Sequence, residues 1–143
     1  MIRTLAIASA VMLTACHQGA EDGTVPGTSP QGFTGIAPDE IITFTGTEPF
    51  WGGNIAGDKL TYSTPEDIGG TVIQVERFTG QGGLGFAGTL DGKEFDMLIT
   101  PGECSDGMSD RIYPYVATLK LGDELREGCA HTDKQTFSGP EKP

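Results

Sequence analysis

Three acidic residues, Glu103, Asp106 and Asp110, lie close together, and Arg111 follows at once. Carboxylates this near repel one another unless something compensates them. Arg111 is the local candidate and a divalent cation is the alternative. The run lacks the alternating acidic ligands of an EF-hand loop. Asx turns, in which Asp106 and Asp110 bond backbone amides, explain it without a metal. A loop that meets a partner is the other reading, and it draws in Ser109 and Tyr113. Upstream stands Glu48-Pro49-Phe50-Trp51, where proline fixes φ and two aromatics follow. Buried, Phe50 and Trp51 would plug one end of a small core. Exposed, Trp51 would line a binding mouth with Glu48 as a polar contact. The candidate binding residues are therefore Glu48, Phe50, Trp51, Asp106, Ser109, Asp110, Arg111 and Tyr113, with no catalytic group, no metal and no cofactor among the expectations.

The N-terminus carries a different signal. Met1, Ile2 and Arg3 precede an apolar run from Leu5 to Leu13. A positive start before a short apolar run reads as a secretory signal peptide over residues 1–15. The run is too short for a membrane span, which needs about 20 apolar residues. It ends Leu13-Thr14-Ala15-Cys16, which resembles the bacterial lipobox. That resemblance implies a diacylglycerol on the Cys16 thiol and cleavage before it. Two or three acyl chains make attachment stable, because each buried methylene contributes about 0.8 kcal/mol. The next residue is His17 rather than aspartate, which by the same resemblance points to the outer membrane. The expected location is the cell envelope, lipid-anchored and facing the periplasm.

Cysteine use follows from export. Besides Cys16 the chain has Cys104 and Cys129, and one even pair in an exported domain reads as a disulfide. Closing that loop is worth roughly 3–4 kcal/mol on the chain-entropy model. A zinc site of Cys104, Cys129 and His131 lacks C-x-x-C spacing and a fourth ligand. Gly80-Gln81-Gly82-Gly83-Leu84-Gly85 fits G-x-G-x-x-G in form, but a strand rather than a helix follows it, so it reads as a hairpin turn. No G-x-S-x-G is present.

The elements that hold these groups read as strands. Candidates are Glu40–Thr45, Gly53–Ala56, Lys59–Ser63, Thr71–Thr79, Leu84–Leu90, Lys93–Thr100, Tyr113–Leu121 and Glu124–Cys129. Gly57-Asp58, Asp91-Gly92 and Gly122-Asp123 each separate two such runs by the two residues of a tight hairpin. Tyr113, Tyr115, Ala117, Leu119 and Leu121 share one face, as do Phe95, Met97 and Ile99. Period-two alternation with one apolar face describes half-buried antiparallel strands. About eight short strands predict an all-β fold, a small antiparallel barrel, with a β-sandwich as the alternative. Glycines within strands, such as Gly85 and Gly88, would ease the bends of a barrel wall. The predicted organisation is a signal peptide at 1–15, a lipidated Cys16 with a flexible tether to 38, a domain at 39–137 and a disordered tail at 138–143.

The net charge is −11, and loss of residues 1–15 removes only Arg3 among the charges. So acidic a surface repels nucleic-acid phosphates and anionic lipid headgroups. It favours basic partners or solution presentation.

Two segments carry a family resemblance. One is Gly46-Thr47-Glu48-Pro49-Phe50-Trp51, followed by Tyr62-Ser63-Thr64-Pro65. The other is Cys104-Ser105-Asp106-Gly107-Met108-Ser109-Asp110-Arg111, then Tyr113-Pro114-Tyr115 and Gly128-Cys129-Ala130. From about Phe44 to Ala130 the chain resembles a family of small bacterial envelope lipoproteins marked by GTEPFW and C-S-D-G-M-S-D-x-x-Y-P. The resemblance implies an extracytoplasmic lipoprotein and no known enzyme activity. The leading expectation is a non-enzymatic binding module, tethered by its N-terminal lipid, for a small ligand or protein. One version is an inhibitor of a basic envelope enzyme such as lysozyme, since opposite charges speed encounter. Others are a structural envelope lipoprotein, or a glycan-acting enzyme using Glu48, Asp106 and Asp110.

Overall fold

A computed structural model describes residues 32–140. It is a closed antiparallel barrel of eight strands in chain order: β1 (Ile42–Gly46), β2 (Trp51–Ala56), β3 (Lys59–Thr64), β4 (Asp67–Thr79), β5 (Leu84–Leu90), β6 (Lys93–Ser105), β7 (Ile112–Leu121) and β8 (Glu124–Thr132). Pairing of β1 with β8 closes the ring, with Ile42 opposite Thr132 and Gly46 opposite Gly128. The barrel is thus the architecture, and the sandwich is not.

The three expected two-residue hairpins are all present. Ala56 pairs with Lys59, Leu90 with Lys93 and Leu121 with Glu124. Asp91 and Gly92 both take positive φ, 50° and 77°, as a type I′ turn requires. The glycine-rich run at 80–83 is the β4–β5 turn, where the Gly80 amide donates to the Gly83 carbonyl.

Alternate residues fill the interior. Phe44, Phe86 and Phe95 are fully buried with Ile55, Leu60, Leu84, Met97, Ile99 and Leu119. Trp51 joins them, its ring 5.7 Å from that of Phe44 and 6.4 Å from that of Tyr62. An eight-stranded barrel is just wide enough for side chains to fill, and here they do. Gly85 stands opposite Phe78 of β4. A Cβ there would come within 1.9 Å of the Phe78 ring, so the glycine makes room for an aromatic laid over the outer wall.

Both ends of the folded unit reach beyond the predicted 39–137. Ile36, expected in the tether, is 2% exposed and belongs to the core. Arg77 Nη2 donates to its carbonyl at 2.8 Å. This entry segment covers the barrel end below Ile42. There the buried Glu40 carboxylate accepts from Thr132 Oγ1, from the Ala37 amide at 2.9 Å and from Gln135 Nε2 at 3.2 Å. The hydroxyl of Thr132 and the amide of Ala37 hold the Glu40 carboxyl below its ordinary range against desolvation. At the C-terminal side Ser138 and Ile112 exchange both backbone hydrogen bonds, so Ser138 is a strand partner rather than the start of a free tail. Cys16 lies outside the described residues.

Candidate functional site

The opposite end of β1 leads into the turn Thr47–Phe50. Glu48 adopts φ 62° there, a left-handed conformation uncommon outside glycine. The turn separates the two aromatics. Trp51 opens β2 with its side chain inward and is 3% exposed, whereas Phe50 is 53% exposed. The expectation that both plug the barrel therefore holds for Trp51 and fails for Phe50. The indole lies across Gly46, where an added Cβ would fall 2.1 Å from Nε1. Only glycine at 46 leaves that space.

The second signature segment comes off β6 and β7. Strand β6 continues past the expected end at Thr100 to Ser105, through an irregularity between Pro101 and Cys104. The expected Pro101–Ile112 loop is thus shortened to 106–111. Cys104 and Cys129 form a disulfide with Cα atoms 5.5 Å apart. It joins the two strands that flank β7, and Cys129 stands opposite Thr45 of β1. The loop is drawn against the outer face of the β8–β1 seam, not over a barrel mouth.

Asp106 organises this loop. Its Oδ1 accepts from the amides of Met108 (3.0 Å) and Ser109 (2.8 Å), and its Oδ2 from Ser109 Oγ (2.7 Å) and Tyr113 Oη (3.3 Å). Desolvation would raise its pKa, but these four donors outweigh it and bring the carboxyl down to about 2. The expected acidic repulsion at Asp106 is answered by these N–H and O–H donors. Among the described residues no group of three or more His, Cys, Asp or Glu side chains is placed to hold a metal ion. Arg111 Nε donates to the Pro140 carbonyl at 2.8 Å, and its guanidinium lies 4.5 Å from the Phe137 ring centroid. Phe137 also meets the rings of Tyr113 at 5.4 Å and His131 at 5.2 Å. Burial and the nearby Arg111 charge push the His131 pKa down.

Three surface hollows meet at Thr45. One cleft of about 250 Å³ is lined by Thr45, Thr47, Phe50, Asp106, Met108, Ser109, Arg111 and Tyr113. A second, of about 170 Å³, runs along the disulfide past Gly46, Ser105 and Glu127. A third, of about 240 Å³, is lined by Phe50, Trp51, Ser63, Thr64, Pro65 and Ile68, with Thr45, Gly46 and Gly52. Five of the eight expected binding residues thus share one cleft, and Trp51 lines the groove on the other side of Phe50. Glu48 and Asp110 are exposed and line none of the three. Asp106 is committed to its own loop, so it shapes the cleft rather than reaching out of it.

Sequence reasoning overlooked Met108, 66% exposed, and Ile68, 85% exposed. Met108 sits inside the second signature, where an apolar residue amid Gly, Ser and Asp was the available signal. Ile68 had none. Arg126 was also overlooked. It lies on the inward-facing side of β8, and its Nη1 donates to Tyr62 Oη at 2.7 Å.

The Asp106 carboxylate and the Ser109 hydroxyl of the cleft are bonded to each other. A carboxylate held at about 2 is a weak proton acceptor at neutral pH, far from the value that suits a general base. The Ser109 hydroxyl already donates to that carboxylate. What the cleft offers is apolar surface at Phe50 and Met108 around a rigid polar floor. Compared with models of protein families, with curated proteins and with solved structures, the chain matches none.

Proposed function

We propose that this protein is a binding module of the bacterial cell envelope, anchored by lipid on Cys16, that meets a partner through the Phe50–Met108 surface. One observation carries the reading. The two segments singled out in the sequence, distant in the chain, converge on one cleft. Phe50 and Met108 stand out of it, and exposed apolar side chains grouped at a cleft mark contact sites. Buried side chains such as Phe44, Phe86 and Phe95 fill the barrel interior, which supports recognition on its outside. The net charge of −11 favours a basic partner, an envelope enzyme such as lysozyme among them.

Site-specific photo-crosslinking in cells tests this. A crosslinker at position 50 is expected to trap a discrete partner, and one at Val72, exposed on β4, is not. Equal products from both positions, or none from position 50, would remove the proposed surface. Replacing Cys16 by Ser is expected to move the chain from the membrane fraction to the soluble one. Retention at the membrane would remove the anchor.

A further inference from the structure

The hollow along the disulfide differs in chemistry from the cleft beside it. Its charged lining residues are Asp106 and Glu127, and no lysine, arginine or histidine joins them. Asp106 is bound up in its own loop. Glu127 is not. It precedes Cys129 by two residues on β8, so both side chains leave the strand on the same face, where the disulfide to Cys104 lies. Glu127 is exposed. The ion pairs among the described residues use Glu94, Glu124 and Asp39, and Glu127 takes part in none of them. One uncommitted carboxylate thus borders the hollow.

Charge and size narrow the occupant. A negative lining without a cation repels an anion and attracts a positive group. A metal ion calls on several oxygen ligands, whereas an ammonium or guanidinium pairs with a single carboxylate. About 170 Å³ is well below the roughly 300 Å³ at which pockets begin to enclose a small molecule, and one side chain suits it. The hollow shares Thr45, Thr47 and Asp106 with the Phe50–Met108 cleft, so the occupant of one has a neighbour in the other.

We propose that the hollow beside the Cys104–Cys129 disulfide receives a lysine or arginine side chain of a partner polypeptide. Its cation pairs with the Glu127 carboxylate, and an apolar side chain next to it in the partner packs on Phe50 and Met108. This rests on the reading of the barrel as a binding module and names the two neighbouring side chains, one basic and one apolar, that the surface reads.

The test uses the full chain labelled with nitrogen-15, at about 0.15 M salt, where charges more than about 8 Å apart are largely screened. Acetyl-(Leu-Arg)₂-amide is titrated beside the same peptide made with lysine and the same peptide made with citrulline, which keeps the shape of arginine without its charge. The arginine and lysine peptides are expected to move the Thr47, Glu127 and Gly128 amide resonances saturably, and the citrulline peptide is not. Glu127→Gln, nearly isosteric at an exposed position, is expected to weaken the response about two- to fivefold, the worth of an exposed ion pair. Glu76→Gln removes the same charge from β4, four strands away around the ring, and is expected to change it by less than about 1.5-fold because of screening. Equal weakening by both variants, or a citrulline response as strong as that to arginine, overturns the inference. So does an absence of movement up to about 5 mM peptide, beyond the dissociation constant of a weak contact. If position 50 still crosslinks a partner while Glu127→Gln binds the peptides as the unaltered chain does, the binding module stands and the reading of Glu127 falls.

Discussion

Replacing Asp106 by Asn isolates the group that holds the signature loop in shape. The fall of its carboxyl from 3.8 to about 2 corresponds to about 2.4 kcal/mol. Asp106 is partly open to solvent, which reduces this to about 1–2 kcal/mol. Asparagine keeps one oxygen for the Met108 and Ser109 amides. It places an NH₂ where Oδ2 accepted from Ser109 Oγ and Tyr113 Oη. Because the folded pKa lies below the unfolded one, the carboxylate's contribution is complete well above pH 4 and is lost as pH falls through about 2. At pH 7 the variant should be about 1–2 kcal/mol less stable, a melting temperature about 5–10 °C lower for a domain of this size. Near pH 2 the difference should shrink below about 0.5 kcal/mol. Urea titrations at both pH values measure it, and hydrogen exchange at the Met108 and Ser109 amides localises it. An equal deficit at pH 2 and pH 7, or none at pH 7, would refute the role assigned to the charged form.

Three further perturbations probe the same frame. Replacing both Cys104 and Cys129 by Ala should cost about 3–4 kcal/mol in urea titration, given a separation of 25 residues; a loss under about 1 kcal/mol would mean that hydrogen bonds alone hold the loop to β8. Glu48→Gly relieves a left-handed backbone and should raise stability by about 0.5 kcal/mol after the unfolded-state entropy of glycine is counted, whereas a clear loss would show that the Glu48 side chain itself is engaged. His131 is held neutral by burial and by Arg111, so its folded pKa lies below 6.5. Stability should then drop as pH falls below about 6.5. His131→Phe should flatten that slope between pH 7 and pH 5, and an unchanged slope would assign it to other groups.

The barrel was legible because its signals are local. Alternation in Tyr113–Leu121 and the pairs Asp91-Gly92 and Gly122-Asp123 depend on neighbours in the chain, and the structure places them as expected. Strand ends were harder. β6 was expected to stop before Pro101, since proline removes a ladder donor, yet an irregularity carries the strand on to Ser105. Ile36 was hidden in a run of Gly, Pro and Thr, where one isolated apolar residue gives no period to read. At the site, the residue types of both signatures were informative, while their directions were not. Phe50 and Trp51 are adjacent, and only the turn geometry decides that one points out and the other in. The Asx turn expected at Asp106 forms, with the Met108 and Ser109 amides on Oδ1, whereas the Ser109 and Tyr113 hydroxyls on Oδ2 become visible only when the loop is folded.

Closure of the ring carries a consequence for the order in which the protein comes into being. Strands β1 and β8 are the first and last of the fold, and about 90 residues separate partners such as Ile42 and Thr132. Pairings so distant in sequence form late and slowly. The hollow along the disulfide takes one wall from Thr45 and Gly46 and another from Gly128 and Cys129, so it straddles this last seam. A chain still emerging from its synthesis, or cut short before β8, has Gly46–Trp51 and Cys104–Arg111 but lacks Gly128 and Cys129, and with them one wall of this hollow. That hollow is a property of the closed ring alone.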